Sequence, residues 1–345
     1  YRGGKPIVMT HIGRPRNKKT GEIQCKEEES VVPIVEYLSN KLPVKIQLQE
    51  FPVEPGKGIT KLDGSMKDSI EKLKKGEIGI IYLPNIRWFR GEQASGKERE
   101  EFVDWLSGIG DMYVNDAFSS WRAHASTYDI AMKLPSYAGF QLQKEILSIN
   151  RVLDPVRPFV AVIAGSKYDT KIGPLKGLYP KADRIILGGL IYNVYLAVKY
   201  GIEITGISNE EKTEARELLE MDREYNKIVE LPYLVEAESM NTKTDGSYRV
   251  LDIREITNKG SKLKYILDID PHSLDEILVK DNINNARTIF VNAVMGLTPL
   301  YFNGTQSLYR LIDSNENAMK LFAGGDTLQE LRNLCPDIYL KGMDH

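Results

Sequence analysis

The stretch "FVAVIAGSKYDTKIG", residues 159–173, decides the fold. Its first six residues read as a strand. The "DPVRP" just before it, residues 154–158, carries two prolines that end the preceding helix, so the strand starts at once. At its far end the run gives way to Gly165, Ser166 and two lysines four apart, Lys167 and Lys171. A strand that ends in glycine and opens a helix is half of a parallel α/β unit, and the same alternation recurs along the whole chain. Strands are expected at 6–10, 78–83, 112–115, 159–164, 184–187, 288–292 and 320–323, with amphipathic helices between them. Ser30 is placed to cap a helix with Val31, Val35, Leu38 and Leu42 on one face. Phe102, Leu106 and Ile109 mark another. Leu142, Ile146, Ile149 and Val152 mark a long one that runs up to "DPVRP", read as the connector between two domains. Residues 224–270 alternate less cleanly, with "LPYLVEAES" (231–239) as a strand in a polar patch.

At 345 residues the chain is too long for one ordinary core, so two domains are expected. Apolar content of 42% and charged content of 27% are those of a soluble globular protein. A net charge of -2 speaks against nucleic acid as a partner. No apolar run approaches the roughly 20 residues that span a bilayer, so no membrane partner is expected. Cys25 and Cys335 lie too far apart in sequence to form a metal-ligand or redox motif, which suits a reducing, cytoplasmic setting.

The strand ends carry the chemistry. In the first half, three of them deliver cations: "PIVMT" runs into His11 and Arg14, "IGIIYL" into Arg87 and Arg90, and "MYVNDAF" into Arg122 and His124. Ligands of parallel sheets bind outside the carboxyl ends of the strands, so three such loops make a cationic basket. Guanidinium suits it, because its planar fork grips carboxylate and phosphate. In the second half the strands end in glycine: Gly165 with Lys167 and Lys171, then Gly188 and Gly189, then "GGDT" (324–327). Glycines there let backbone N–H groups approach phosphates, and a helix start adds its dipole. Asp326 is placed to hold a phosphate-bound Mg2+. Together these features point to a nucleoside triphosphate site. The P-loop pattern, the protein-kinase signature set and a clean G-x-G-x-x-G are all absent, which argues against those three classes.

These residues resemble the phosphoglycerate kinase family. "THIGRP" is similar to S-H-L-G-R-P, "LPNIRWF" to L-E-N-L-R-F, and "YVNDAFSSWRAHAST" to Y-V-N-D-A-F-G-x-x-H-R-A-H-A-S. "YAGFQLQKEI" resembles the start of the family's interdomain helix, "PFVAVIAGSKYDTKI" its P-x-x-A-I-x-G-G-A-K-x-x-D-K-I, "LDID" its L-D-I-G-P, "FVNAVMG" its W-N-G-P-M-G, and "AGGDT" its G-G-G-D-T. The matches are collinear from residue 6 to about 330. The resemblance implies an α/β fold of two Rossmann-like parallel-sheet domains, joined by a long interdomain helix at about 141–153. Residues 1–140 would bind phosphoglycerate and 141–345 nucleotide. It also implies a glycolytic kinase, a monomeric cytoplasmic transferase. By domain closure it would move a phosphoryl group reversibly between 1,3-bisphosphoglycerate and ADP, giving 3-phosphoglycerate and ATP, with Mg2+.

Carried over by position, His11, Ile12, Gly13, Arg14, Arg87 and Arg122 fall on the phosphoglycerate side. Gly165, Ser166, Lys167, Lys171, Gly189, Asn292, Gly324, Gly325, Asp326 and Thr327 fall on the nucleotide side. Lys167, Gly324 and Gly325 take the catalytic positions, Lys167 following the transferring phosphoryl, and Asp326 contacts the metal. The family's R-V-D-x-N-V-P strand, the catalytic arginine after it and the S-T-G-G-G turn have no counterpart between Tyr1 and His345. The natural protein is therefore expected to be longer at both ends; otherwise Arg16 or Arg90 would replace the arginine. Thr298 and Pro299 of "GLTPLY" stand where the family has a ribose-holding acid, "SSWRAH" is one residue short, and Thr170 replaces an aspartate. The alternative reading is a non-catalytic, nucleotide-binding member of the family.

Overall fold

The computed structural model describes residues 3–62, 65–120, 122–256 and 258–341. The chain packs as two units, Tyr1–Glu145 and Ile146–His345. In the first, β1 (Ile7–Val8), α1 (Val32–Lys41) and β2 (Ile46–Leu48) are followed by a small antiparallel pair, β3 (Val53–Glu54) and β4 (Gly58–Ile59). Then come α2 (Ser65–Lys75), β5 (Ile80–Tyr82), α3 (Lys97–Gly108), β6 (Tyr113–Asn115) and β7 (Ser136–Ala138). A parallel sheet runs in the order β1-β5-β2, with Ile7 and Gln47 flanking Ile81, while β6 and β7 form a separate parallel pair. The strand expected at 6–10 pairs only at Ile7–Val8. Past it the Thr10 carbonyl accepts from the Ile86 N–H at 2.9 Å, so the chain leaves the ladder to bind the loop after β5.

An aromatic cluster of Phe51, Phe89, Phe102 and Trp105, with ring centroids 5.1–5.7 Å apart, fills the middle of this unit. Such rings bury large areas and fix one another's orientation. The α1 face differs from expectation at its ends. Ser30 Oγ accepts from the Val32 N–H at 3.2 Å, but Val31 takes the cap position. Val31 and Val35 are buried, whereas Leu42, just past the helix, is exposed.

The long helix is present as α4 (Phe140–Leu153). Of its expected apolar stripe only Val152 is buried; Ile146 and Ile149 are exposed.

The second unit is built on β8 (Phe159–Gly165), whose first six residues are buried on both faces of the sheet. Complete burial is worth about 1.5–3 kcal/mol for each large apolar side chain. After it come α5 (Tyr168–Leu178), β9 (Arg184–Gly188), α6 (Gly189–Tyr200), β10 (Glu203–Ile204), α7 (Asn209–Tyr225), β11 (Ile228–Val229), β12 (Tyr233–Ala237), β13 (Tyr248–Asp252), β14 (Lys262–Leu263) and β15 (Tyr265–Ile269). The unit closes with α8 (His272–Asp275), α9 (Ile277–Asn284), β16 (Thr288–Asn292), α10 (Asn303–Ser314), β17 (Met319–Phe322), α11 (Gly325–Leu334) and α12 (Pro336–Lys341). Its main sheet is parallel, in the order β11-β9-β8-β16-β17. The chain moves outward from β8 to β9 and β11, then returns to the other side for β16 and β17. That reversal opens a crevice at the carboxyl ends of β8 and β16.

Within residues 231–239 a strand does form, β12 (Tyr233–Ala237), and it lies in an antiparallel sheet ordered β13-β12-β15. Its edge strand β13 leaves Tyr248 and Val250 exposed, so the pattern of one wet and one dry face is blurred. The long α7 is one of the helices between the strands. Its signal was present: Ser208 and Glu211 form a reciprocal capping box.

Candidate functional site

In the first unit the loops after β1 and β5 are clamped by one buried side chain. Asn85 is fully buried; its Oδ1 accepts from the Ile12 and Arg87 N–H groups at 3.3 and 3.1 Å. Its Nδ2 donates to the Ile12 and Glu29 carbonyls at 2.8 and 2.9 Å. Ile86 and Phe89 anchor the same loop in the core and leave Arg87 between them, half-exposed. The Arg87 guanidinium donates to the Gly13 carbonyl at 2.6 Å, which ties the two expected basket loops together. Gly13 has φ +65°, and a Cβ there would stand 2.0 Å from Glu29 Oε1. That same Oε1 accepts from the Arg14 N–H at 3.1 Å. No side chain larger than hydrogen fits that turn without moving Glu29.

The third loop closes over the first two. Ser120 Oγ lies 3.3 Å from both ring nitrogens of His11, and His124 Nε2 is 3.4 Å from Gln93 Nε2. Burial first, then the positive charge of Arg87 and the nearness of His124, lowers the His11 pKa below its ordinary value. Burial, then Arg87, Arg99 and Arg122, lowers that of His124. Arg87 in turn feels Arg14. Charges from distant parts of the sequence therefore meet here: Arg87 and His124 act on His11, Arg87 and Arg122 act on His124, and Arg14 acts on Arg87. Under them lies Glu92, 1% exposed, whose carboxyl accepts from the Ser126 N–H at 2.9 Å and from Ser126 Oγ at 2.6 Å. Burial pushes Glu92 up to about 7, against its hydrogen bonds and the pull of Arg87 and Arg99. Sequence reading passed over Glu92 because it sits in the polar run "FRGEQASG", which looks like a surface loop.

In the second unit the expected residues gather at the carboxyl ends of the parallel strands. Gly165 and Gly189 are in direct backbone contact, bridged between β8 and β9. Gly189 has φ +60°, and a Cβ there would meet the Gly165 carbonyl oxygen at 2.5 Å. Three helices begin beside these ends: α5 behind Lys167, α6 at Gly189 and α11 at Gly325, with Gly324 at φ +95°. Their first N–H groups lack helical partners and carry partial positive charge, which is what a phosphate needs.

Lys171 Nζ crosses the crevice to donate to the Asn292 side chain and lies 3.4 Å from the Asn292 carbonyl. Burial lowers the Lys171 pKa, and the nearby charge of Asp326 opposes this. Asn292 in turn faces Gly324, whose Cβ position is 3.5 Å from its amide. Gly165, Lys171, Asn292, Gly324 and Asp326 thus share one space, with Gly189 against Gly165. Ser166 and Lys167 are exposed above it and Thr327 is buried beneath, in the first turn of α11. Among the described residues the Lys167 side chain has no hydrogen-bond or ion-pair partner; its carbonyl accepts from Thr170 Oγ1 at 3.1 Å.

Three further positions are engaged elsewhere. Arg90 pairs with Glu98 at 2.7 Å, and Arg16 donates to the Arg90 carbonyl at 3.3 Å. Thr298 Oγ1 donates to Glu330 Oε1 at 3.2 Å, so an acid from α11 stands next to the loop that lacks one. Trp121, in the run that carries Arg122, lies outside the described residues.

A parallel α/β chain with side-chain cations on one unit and glycine-opened helix starts on the other has the layout of a phosphotransferase. Comparison with known proteins agrees. The family model for phosphoglycerate kinase matches residues 1–338. A phosphoglycerate kinase of Rubrobacter xylanophilus is 31% identical over 339 residues, covering 96% of this chain and 78% of that protein. One from Dictyoglomus turgidum is 29% identical over 342 residues, with 96% and 78% covered. The structure of phosphoglycerate kinase from Coxiella burnetii superposes with a TM-score of 0.74 at 27% identity, covering 99% of this chain and 80% of that one. The chain belongs to the phosphoglycerate kinase family.

Proposed function

We propose that this chain performs the reaction of its family, reversible phosphoryl transfer between 1,3-bisphosphoglycerate and ADP to give 3-phosphoglycerate and ATP. The observation that supports it best is the division of labour between the units. His11, Ile12, Gly13, Arg14, Arg87 and Arg122 offer a compact cationic surface, the complement of a small molecule bearing carboxylate and phosphate. Gly165, Ser166, Lys171, Gly189, Asn292, Gly324, Gly325 and Thr327 line a backbone-donor crevice for a polyphosphate. Lys167, at the mouth of that crevice on a long flexible stem, is the group that neutralises the phosphoryl in transit. The Gly324 and Gly325 N–H groups at the start of α11 share that work. Phosphoryl transfer depends on positioning and charge neutralisation more than on covalent help, and these residues supply both.

The residues fit a magnesium ion that arrives on the nucleotide. Among the described residues no cluster of three or more acids, histidines and cysteines could hold a metal. Mg2+ does not ask for one, because it keeps its waters and phosphate oxygens and takes one or two carboxylates. Asp326, in the first turn of α11 and close enough to influence Lys171, is the carboxylate in place. The ion would offset negative charge on the phosphates. No described helix is long and apolar enough to cross a membrane; a cytoplasmic monomer is the working state we assign.

The test is a coupled assay of ATP formation from 1,3-bisphosphoglycerate and ADP, with calorimetry of 3-phosphoglycerate and ADP run alongside. Turnover with both ligands bound is expected. A folded protein that binds both ligands and forms no ATP would refute the kinase assignment.

A further inference from the structure

Glu92 belongs to no binding motif, yet among the described residues it is the most deeply buried acid of the first unit and lies close to its cations. Both carboxyl oxygens are committed to one residue. Oε2 takes the Ser126 N–H and Oε1 takes the Ser126 hydroxyl. The Glu92 carbonyl also accepts from the Ala125 N–H at 3.2 Å. These contacts grip the turn that carries Arg122 and His124. Two other residues grip it from outside. Arg99 bonds Asp129 and donates to the Ala123 carbonyl at 2.8 Å, and the Tyr113 hydroxyl donates to the Ser126 carbonyl at 2.7 Å.

We propose that Glu92 is a positioning residue for the anion basket: through Ser126 it holds the Arg122–His124 turn in place, and its charge state sets the field beneath Arg87 and His124. The groups that face it are Arg87 from the loop after β5, Arg99 from α3, Tyr113 from β6, and His124 and Ser126 from the turn itself. His124 Nδ1 stands 3.9 Å from Glu92 Oε1. Arg87 and Arg99 exert charge on Glu92, and Glu92 exerts charge on Tyr113.

A carboxyl that is protonated leaves the basket with its full positive charge. One that is ionised subtracts from it. Burial raises Glu92 to about 7, so the change falls within the working range of pH. In the protonated form one oxygen still accepts from the Ser126 N–H while the O–H turns to Ser126 Oγ. Glutamine copies that arrangement with its carbonyl and amide, so Glu92→Gln mimics the protonated acid at every pH.

This inference rests on the assignment of the basket to phosphoglycerate. The test is calorimetric binding of 3-phosphoglycerate, and of ADP as the internal control, to the full chain at pH 6 and pH 8. Glu92→Gln should match wild type at pH 6 within about twofold and bind 3-phosphoglycerate about threefold or more tightly than wild type at pH 8. Glu92→Ala, which frees Ser126, should weaken 3-phosphoglycerate about tenfold at both pH values and leave ADP within twofold. Should Glu92→Ala unfold, the glutamine ratio alone decides. A ratio that is the same at pH 6 and pH 8, or an equal loss of ADP affinity, overturns the proposal. If wild type binds no 3-phosphoglycerate at all, the assignment of the basket fails first.

Discussion

Under the proposed function the two units would answer the same problem, holding an anion, with opposite materials. The first uses side chains: guanidinium and imidazole groups on loops that leave strands of two or three residues, braced by Asn85, Glu29 and Glu92. The second uses backbone: glycines at the ends of long buried strands, packed so closely that Gly165 touches Gly189. Side-chain charge is strong and ionic-strength dependent, and it must be kept from repelling itself. A buried carboxyl group, Glu92, and a half-buried one, Glu29, sit among the cations of the first site. Backbone donors carry only partial charge but need no counter-ion, and their geometry is fixed by the sheet. The first site is therefore vulnerable to loss of charge, and the second to gain of volume.

That contrast can be tested at its sharpest point first. Lys167 is the uncommitted cation in a site otherwise made of dipoles, of Lys171, which is already committed to Asn292, and of the Asp326 carboxylate. Lys167→Ala should lower kcat by about 10²–10³-fold, the usual cost of losing a donor that acts mainly in the transition state. Steady-state kinetics reads it, and a kcat within a factor of two of wild type would return Lys167 to the surface.

Next is a change of volume. Gly189→Ala places a methyl against the Gly165 carbonyl at φ +60°. The left-handed backbone alone costs about 1–3 kcal/mol for a non-glycine residue, before the clash is added. Thermal unfolding should show the second unit weakened and ADP titration a loss of affinity, with 3-phosphoglycerate unaffected. Loss of 3-phosphoglycerate binding in step with ADP would break the division between units.

The matching change of charge is Arg87→Ala. A charge-assisted hydrogen bond is worth roughly 1.5–3 kcal/mol, so the KM for phosphoglycerate should rise about tenfold or more while ADP binding stays put. Calorimetry of ADP binding to this variant decides it.

The smallest effect expected is one of pH. His11 and His124 are held below their ordinary pKa, so both are neutral at pH 7 and charge only in acid. Protonation adds positive charge to the first site as pH falls through and below about 6.5, with Glu92 contributing nearer 7. Sulfate, whose own charge does not change in this range, should bind the first site a few-fold more tightly at pH 5.5 than at pH 7.5. ADP affinity should track only the ionisation of its own phosphates. A flat sulfate profile would mean that the imidazoles face away from the ligand.

The sequence on its own determined a great deal here. Unbroken apolar strands ending in glycine, as at Phe159–Gly165, can be read without neighbours, because both faces are dry and the glycine has a local backbone reason to be there. The cations after β1, β5 and β6 were legible for the same reason: each lies at a fixed offset from a strand that can be recognised locally. What the tertiary structure alone decided is everything that depends on a partner far away in the chain. It set the antiparallel β13-β12-β15 sheet, whose edge strand looks polar until its partners are known. It left Ile146 and Ile149 exposed on α4 although their spacing matches a buried stripe. It turned Glu92 from a loop residue into a buried acid, and Asn85 into the clamp between two loops separated by more than 70 residues. Local pattern encodes which face of an element is dry. Burial of a single polar group is set by what packs over it, and that is written in no stretch of sequence short enough to read by itself.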